Sequence, residues 1–223
     1  MTDTSNSRTV VVDAAAHAWV VGDPLYPLDP AIATCPDNMP VIDESAEHLI
    51  ARMNTLGIDE TVISHVCYYG RDNSYTAHCV NSYPERFTGV GLLVGYRLHS
   101  PDDYENPVRL ERLMREDGLS GLRLSPIYDP NAVWLNDPVS YPLWNKAQEL
   151  GAVFNIFAAP HQIAQIGDMA ARFPGVNIVV DHFAMIDITA SDVEGFNPLL
   201  DLRKFPNVYI RTSLHNPSRQ EIP

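Results

Sequence analysis

Thr9-Val10-Val11-Val12-Asp13-Ala14-Ala15-Ala16-His17 runs from a β-branched, apolar stretch straight into a polar end, with no glycine before Gly22. A doubly wound sheet that bound a nucleotide would need a glycine-rich turn after its first strand, so this stretch argues against one. Further strand-like runs follow at Thr61 to Cys67, Gly89 to Val94, Leu119 to Leu124, Ala152 to Phe157, Asn177 to Val180 and Asn207 to Thr212. Each is expected to be buried on both faces, as in a parallel sheet. From Thr61 to Asn207 they recur about every 29 residues, the length of one βαβ unit.

Helical spacing fills the intervals. Ala46, Leu49, Ile50, Met53 and Leu56 share a face, with Asp43 as the expected N-cap and Gly57 as the stop. Asn106-Pro107 and Gly118 repeat that start and stop. Tyr83-Pro84, Phe173-Pro174 and Phe205-Pro206 end three units, because proline lacks an N–H and clashes with the preceding turn. The pattern predicts a (β/α)8 TIM barrel in one domain over residues 1–223. A full barrel takes about 250 residues, and the ten residues after Ser213 leave no room for a last strand and its helices. The expected barrel is therefore truncated after its seventh strand, either as a fragment or as a short product closed by another chain. Residues 14–42 carry Pro24, Pro27, Pro30, Pro36 and Pro40 and are expected to form a lid.

The formal charge of −13, from 15 Lys+Arg against 28 Asp+Glu, repels phosphate backbones and anionic lipids. Nucleic acid and membranes are not expected partners; a small molecule is, and homo-oligomerisation stays open. Cys35, Cys67 and Cys79 show no CxxC spacing and are expected as reduced thiols in a cytoplasmic protein. No apolar run approaches the ~20 residues that span a bilayer.

Barrel chemistry sits at the C-terminal ends of the strands. The polar residues there are Asp13 and His17, then His65 and the run from Tyr68 to Asn73, then Arg123 and Ser125, His161, Asp181-His182, and Arg211, Ser213 and His215. Histidines in such places suit a divalent metal or acid–base work. Arginines suit a carboxylate. Asp72 and Asn73 are expected mainly to cap the next helix, and His48, His78 and His99 to lie on the surface.

Val10 to Trp19, Tyr69-Gly70-Arg71-Asp72-Asn73-Ser74-Tyr75, Gly121-Leu122-Arg123-Leu124-Ser125-Pro126 and Val179-Val180-Asp181-His182 together resemble the amidohydrolase-related family of metal-dependent TIM-barrel hydrolases, in its lactonase-like branch. The resemblance covers nearly the whole chain and implies water attack on a lactone or related C–O or C–N bond. It implies His17, His182 and Arg123 as catalytic residues, the histidines polarising the developing oxyanion. Tyr69, Ser125, Arg211 and Ser213 would then bind substrate. It also implies a zinc-like metal on His17 and His182, yet Ala15 stands where the family carries a second histidine, and no fifth-strand histidine matches. A metal-free route is equally within the resemblance. The family's strand-eight acid, its base, falls beyond Pro223. Non-oxidative decarboxylation in the same family, and a non-catalytic binding barrel, are the alternative expectations.

Overall fold

The computed structural model describes residues 9–31, 33, 37, 39–93, 104–186 and 196–212. Strands and helices alternate: β1 (Val12–Ala16), α1 (Ala46–Leu56), β2 (Glu60–Ser64), α2 (Ser74–Ser82), β3 (Phe87–Val90), α3 (Asn106–Arg115), β4 (Gly121–Leu124), α4 (Tyr141–Leu150), β5 (Val153–Ile156), α5 (Ile163–Arg172), β6 (Asn177–Val180), α6 (Asn197–Asp201) and β7 (Val208–Ile210). All ladders are parallel. Strand order is β1-β2-β3 in one set and β4-β5-β6-β7 in the other. The sets join through a parallel Gly91–Leu122 bridge, reinforced by Arg123 N–H donating to Gly91 O at 2.8 Å. Every strand therefore lies beside its sequence neighbour. A doubly wound sheet reverses direction part-way, whereas this sheet never does, so its order is that of the first seven strands of a (β/α)8 barrel.

Packing follows from the apolar runs. Trp144 of α4 meets Phe154 of β5 edge-on with centroids 4.8 Å apart and stacks on Phe173 at 5.7 Å. Leu110, Leu122, Ile156, Ile166 and Ile178 are wholly buried between helices and sheet, and burial of each such side chain contributes roughly 1.5–3 kcal/mol. Tyr83, Phe173 and Phe205 close their helical segments before proline as expected, with N–H groups donating back to Cys79, Met169 and Leu202. At Gly121 the sheet leaves no space for a side chain: a Cβ there would meet the Val153 carbonyl oxygen at 1.9 Å.

Several expectations change. β1 begins at Val12 rather than Thr9, because its ladder with β2 starts at Val12–Glu60 and carries the alanine run Ala14–Ala16 into the sheet. Pairing overrides the weak strand preference of alanine. β1 and β7 are also not buried on both faces: Val12 is 50 % and Tyr209 54 % exposed, since among the described residues each has a neighbour on one side alone. Ser45, not Asp43, caps α1, its Oγ accepting from His48 N–H at 3.3 Å. Asp43 instead accepts from Val21 N–H at 2.6 Å. Cys67 is disulfide-bonded rather than reduced, while Cys79 is free and buried; pairing depends on spatial approach, which sequence spacing does not reveal.

The segment after β1 is held against α2 and the residues that follow β2. Trp19 pairs with Glu44, Val20 N–H donates to the Tyr69 hydroxyl at 3.0 Å, and the Tyr26 ring meets Tyr75 at 4.9 Å.

Asn73 precedes α2, but its side chain does not cap it. The amide instead mimics a strand neighbour: Oδ1 accepts from Leu92 N–H at 2.7 Å and Nδ2 donates to Leu92 O at 3.0 Å. Asn73→Ala strands both buried groups, so unfolding in urea should show a loss of about 2–3 kcal/mol.

Candidate active site

The strand ends bring five side chains to one mouth. His17 follows β1, and its Nδ1 lies 2.6 Å from the carbonyl oxygen of Ser64 at the end of β2. A carbonyl only accepts, so Nδ1 carries the hydrogen and Nε2 keeps the lone pair. The His17 pKa falls from 6.5 to about 4, first through burial among the barrel walls and next through the charge of Arg123, with Arg211 and His182 acting the same way. One side of the residue nevertheless stays open to solvent at the mouth. The ring is neutral at neutral pH.

Arg123 projects from β4, is 7 % exposed, and donates from Nη1 to His65 O at 3.1 Å. Asp181 and His182 follow β6. Asp181 pairs with Arg211, beyond β7, at 2.7 Å, with the side chains 2 % and 6 % exposed. Arg211 Nη1 also donates to Ala14 O of β1 at 2.7 Å. Burial pushes the Asp181 carboxyl up, against the pull of Arg211 and Arg123, and burial pushes Arg211 down, against Asp181.

His182 opens a run of four left-handed residues, with φ of 53°, 53°, 52° and 56° from His182 to Met185. Left-handed backbone costs non-glycine residues roughly 1–2 kcal/mol each, and such strain gathers at functional sites. The turn lays the His182 ring edge-on to Phe157, centroids 5.1 Å apart.

Of the other expected residues, Ser125 is 5 % exposed and its Oγ has no hydrogen-bond partner among the described residues. The Tyr69 hydroxyl is engaged with Val20; burial raises its pKa to about 12. His161 starts a helical turn, its Nε2 donating to Pro130 O at 3.0 Å. His65 is sealed, with Nε2 donating to Gly70 O at 3.0 Å and Nδ1 accepting from Thr76 Oγ1 at 2.9 Å. Ser213, His215 and His99 lie outside the described residues.

Two residues received no role from the sequence: Asp181, although it stands among the polar strand ends, and Asn155. Asp181 is the counter-ion of the arginines; its signal was an acid directly after a buried strand, which requires a cation. Asn155, 2 % exposed, faces a cavity of about 490 Å³ inside the barrel, with Arg211, Val90 and Val179. Its place in the run Val153-Phe154-Asn155-Ile156 marks it by alternation. A groove of about 620 Å³ lies elsewhere, beside Met53, Asp59 and Arg86, but Arg86 is held there by Asp59 O, Ile58 O and Asn54, and among the described residues no histidine lines it.

The family model described as Amidohydrolase matches residues 12–222. L-fucono-1,5-lactonase of Burkholderia ambifaria is 26 % identical over 211 residues, covering 92 % of this chain and 68 % of that protein. A solved structure described as a probable 2-pyrone-4,6-dicarboxylic acid hydrolase from Acinetobacter baumannii, with citric acid bound, superposes with a TM-score of 0.71 at 17 % identity, over 92 % of this chain and 70 % of that one. A Burkholderia multivorans amidohydrolase with bound zinc gives 0.69 at 17 %, over 96 % and 74 %. No helix among the described residues is long and apolar enough to cross a membrane.

The donors among the described residues do not fit such a zinc. Catalytic zinc takes about three protein ligands and a water, whereas no three His, Cys, Asp or Glu side chains converge among the described residues. Ala15 offers no donor, Asp181 is paired with Arg211, and two guanidiniums beside His17 oppose a further dication.

Burial also lowers the His65 pKa from 6.5 to about 4. The unfolded chain protonates this histidine near 6.5 while the folded one stays neutral, so between these values stability rises with pH and is lost as pH falls. Urea titrations between pH 7 and pH 4 should show a decline to which His65 contributes about 3 kcal/mol, and His65→Gln should flatten that profile while lowering stability at pH 7.

Proposed function

The chain belongs to the amidohydrolase family, and from that premise we propose that it hydrolyses a small carboxylated lactone. The observation that carries this reading is the convergence of two buried guanidiniums, Arg123 and Arg211, on the neutral imidazole of His17 at the C-terminal mouth of the strands. Similarity to a protein named as a lactonase supports the reaction class. The lid over the mouth is part of the same reading and is supported by the contacts of Trp19, Val20 and Tyr26.

The roles follow from the hydrogen bonds. Arg123 grips the substrate carboxylate with charge-assisted hydrogen bonds, steadied from behind by His65 O. Because Nδ1 of His17 donates to Ser64, Nε2 is an acceptor and suits a base better than the oxyanion-polarising role first expected. As the water oxygen attacks the lactone carbonyl, its proton passes to Nε2. The ring C–O bond then breaks, and the imidazolium returns the proton to the departing alkoxide, leaving hydroxy acid and a neutral ring. Arg211 and His182 face the negative charge that gathers on the carbonyl oxygen. Ser125 Oγ is available to a substrate oxygen, and Tyr69 serves by holding Val20 in place. This route uses no metal, in keeping with the donor set of the described residues.

A pH-stat screen of carboxylated lactones, run with and without added zinc, tests the reading; absence of ring opening across the panel overturns it, and carbon dioxide release instead points to decarboxylation. For an active lactone, kcat/KM should plateau at neutral pH and fall on acidification with a midpoint near 4, where His17 protonates. His17→Gln should lower kcat roughly 10²–10⁴-fold. Arg123→Met should raise KM roughly 10–100-fold, the loss of a charged hydrogen-bond pair, with a smaller change in kcat.

A further inference from the structure

We propose that the barrel interior below the mouth binds a small uncharged molecule through one carbonyl-type oxygen, with Asn155 as the donor that recognises it. The site is the cavity of about 490 Å³, a volume within the range of small-molecule pockets. It starts low in the sheet, at Thr88 in β3, Ser120 just before β4 and Val153 at the start of β5, and runs up to Ala14 and Arg211. Barrel interiors are ordinarily filled by layers of bulky branched side chains. Here Ala14, Thr88 and Ser120 bring little bulk to the lining, and space is left between the strands. Thr88 is exposed, its hydroxyl hydrogen-bonded to that of Ser120 at 2.8 Å. A ligand therefore enters from the face where the strands begin, opposite the mouth, and its binding requires nothing of the lactone chemistry above.

Asn155 supplies the polarity. It is the third residue of β5, in register with Val179 of β6, which also lines the cavity. The residue is 2 % exposed, and its Nδ2 has no hydrogen-bond partner among the described residues. A buried amide N–H without an acceptor is unfavourable and calls for an explanation. The side chains of Val62, Val90, Val153 and Val179 around it offer no acceptor, whereas an oxygen carried in by a ligand does. Arg211, at the upper end, is held by Asp181 and by Ala14 O. The walls a ligand meets are then chiefly valine side chains and one amide. Such walls select a neutral molecule, because an ion would lose its hydration there with nothing to replace it.

The test titrates acetophenone, ethylbenzene and benzoate into the whole chain at pH 7 and follows the valine methyl resonances by NMR. The first two are alike in shape and differ by one carbonyl oxygen; the third carries a charge on the same ring. Acetophenone should bind saturably and shift the methyls of Val62, Val90, Val153 and Val179, and benzoate should bind at least tenfold more weakly at those methyls. Asn155→Leu, nearly isosteric, should weaken acetophenone relative to ethylbenzene at least threefold, the loss of one neutral hydrogen bond. An unchanged ratio of the two overturns the proposal, since water then serves Asn155 as well as the ligand does. No saturable acetophenone binding, shifts confined to methyls outside the cavity, or benzoate binding as tight as acetophenone overturns it too. If the variant does not fold, the wild type decides: acetophenone should move a side-chain amide resonance pair that ethylbenzene leaves in place, and failure to do so overturns the assignment to Asn155.

Discussion

An ion pair buried to within a few per cent of complete closure, Asp181 with Arg211, is the contact on which the rest of the mouth depends. It joins the ends of β6 and β7, and the second hydrogen bond of Arg211 reaches the Ala14 carbonyl, 197 residues away in sequence. The first and last strands of the described sheet are thereby tied through a side chain rather than a ladder. Buried pairs contribute little to stability relative to apolar packing, yet removing one partner is strongly unfavourable because the other charge is left alone. The pair is better understood as a device of position, holding Arg211 at the barrel rim.

Around that pair the site is built by supports one layer back. Ser64 supplies only a backbone oxygen, but that oxygen decides which nitrogen of His17 bears the proton. His65 turns its ring inward to Gly70 and Thr76 and offers its carbonyl to Arg123. Consecutive residues of one strand end thus orient the base and the anchor. The four left-handed residues from His182 do a similar task by strain, turning the chain sharply once the strand has ended.

The fold was legible where physics is local. Apolar runs at regular spacing, glycine after α1 and aromatic-proline junctions gave the order of elements, and the missing glycine-rich turn favoured the barrel over the open sheet. What the sequence hid was relational. Asp43 looks like a cap but serves Val21, and Asn73 looks like a cap but completes the hydrogen bonding of Leu92. The three alanines of β1 have no strand preference of their own and enter the sheet because β2 pairs with Asp13 and Ala16 on either side of an irregular step at Ala14 and Ala15. In the site, the list of polar strand ends contained His17, Arg123, Asp181, His182 and Arg211, but not which charge met which. The Asp181–Arg211 pairing spans two units, and no spacing rule reports it.

The placement of the mouth residues along the sheet carries a mechanical consequence. His17 and Arg211 follow β1 and β7, whereas Arg123 and His182 belong to the ends of β4 and β6. A ligand gripped between the two groups would act as a tie rod across the sheet, resisting relative movement of the strands it touches for as long as it is held.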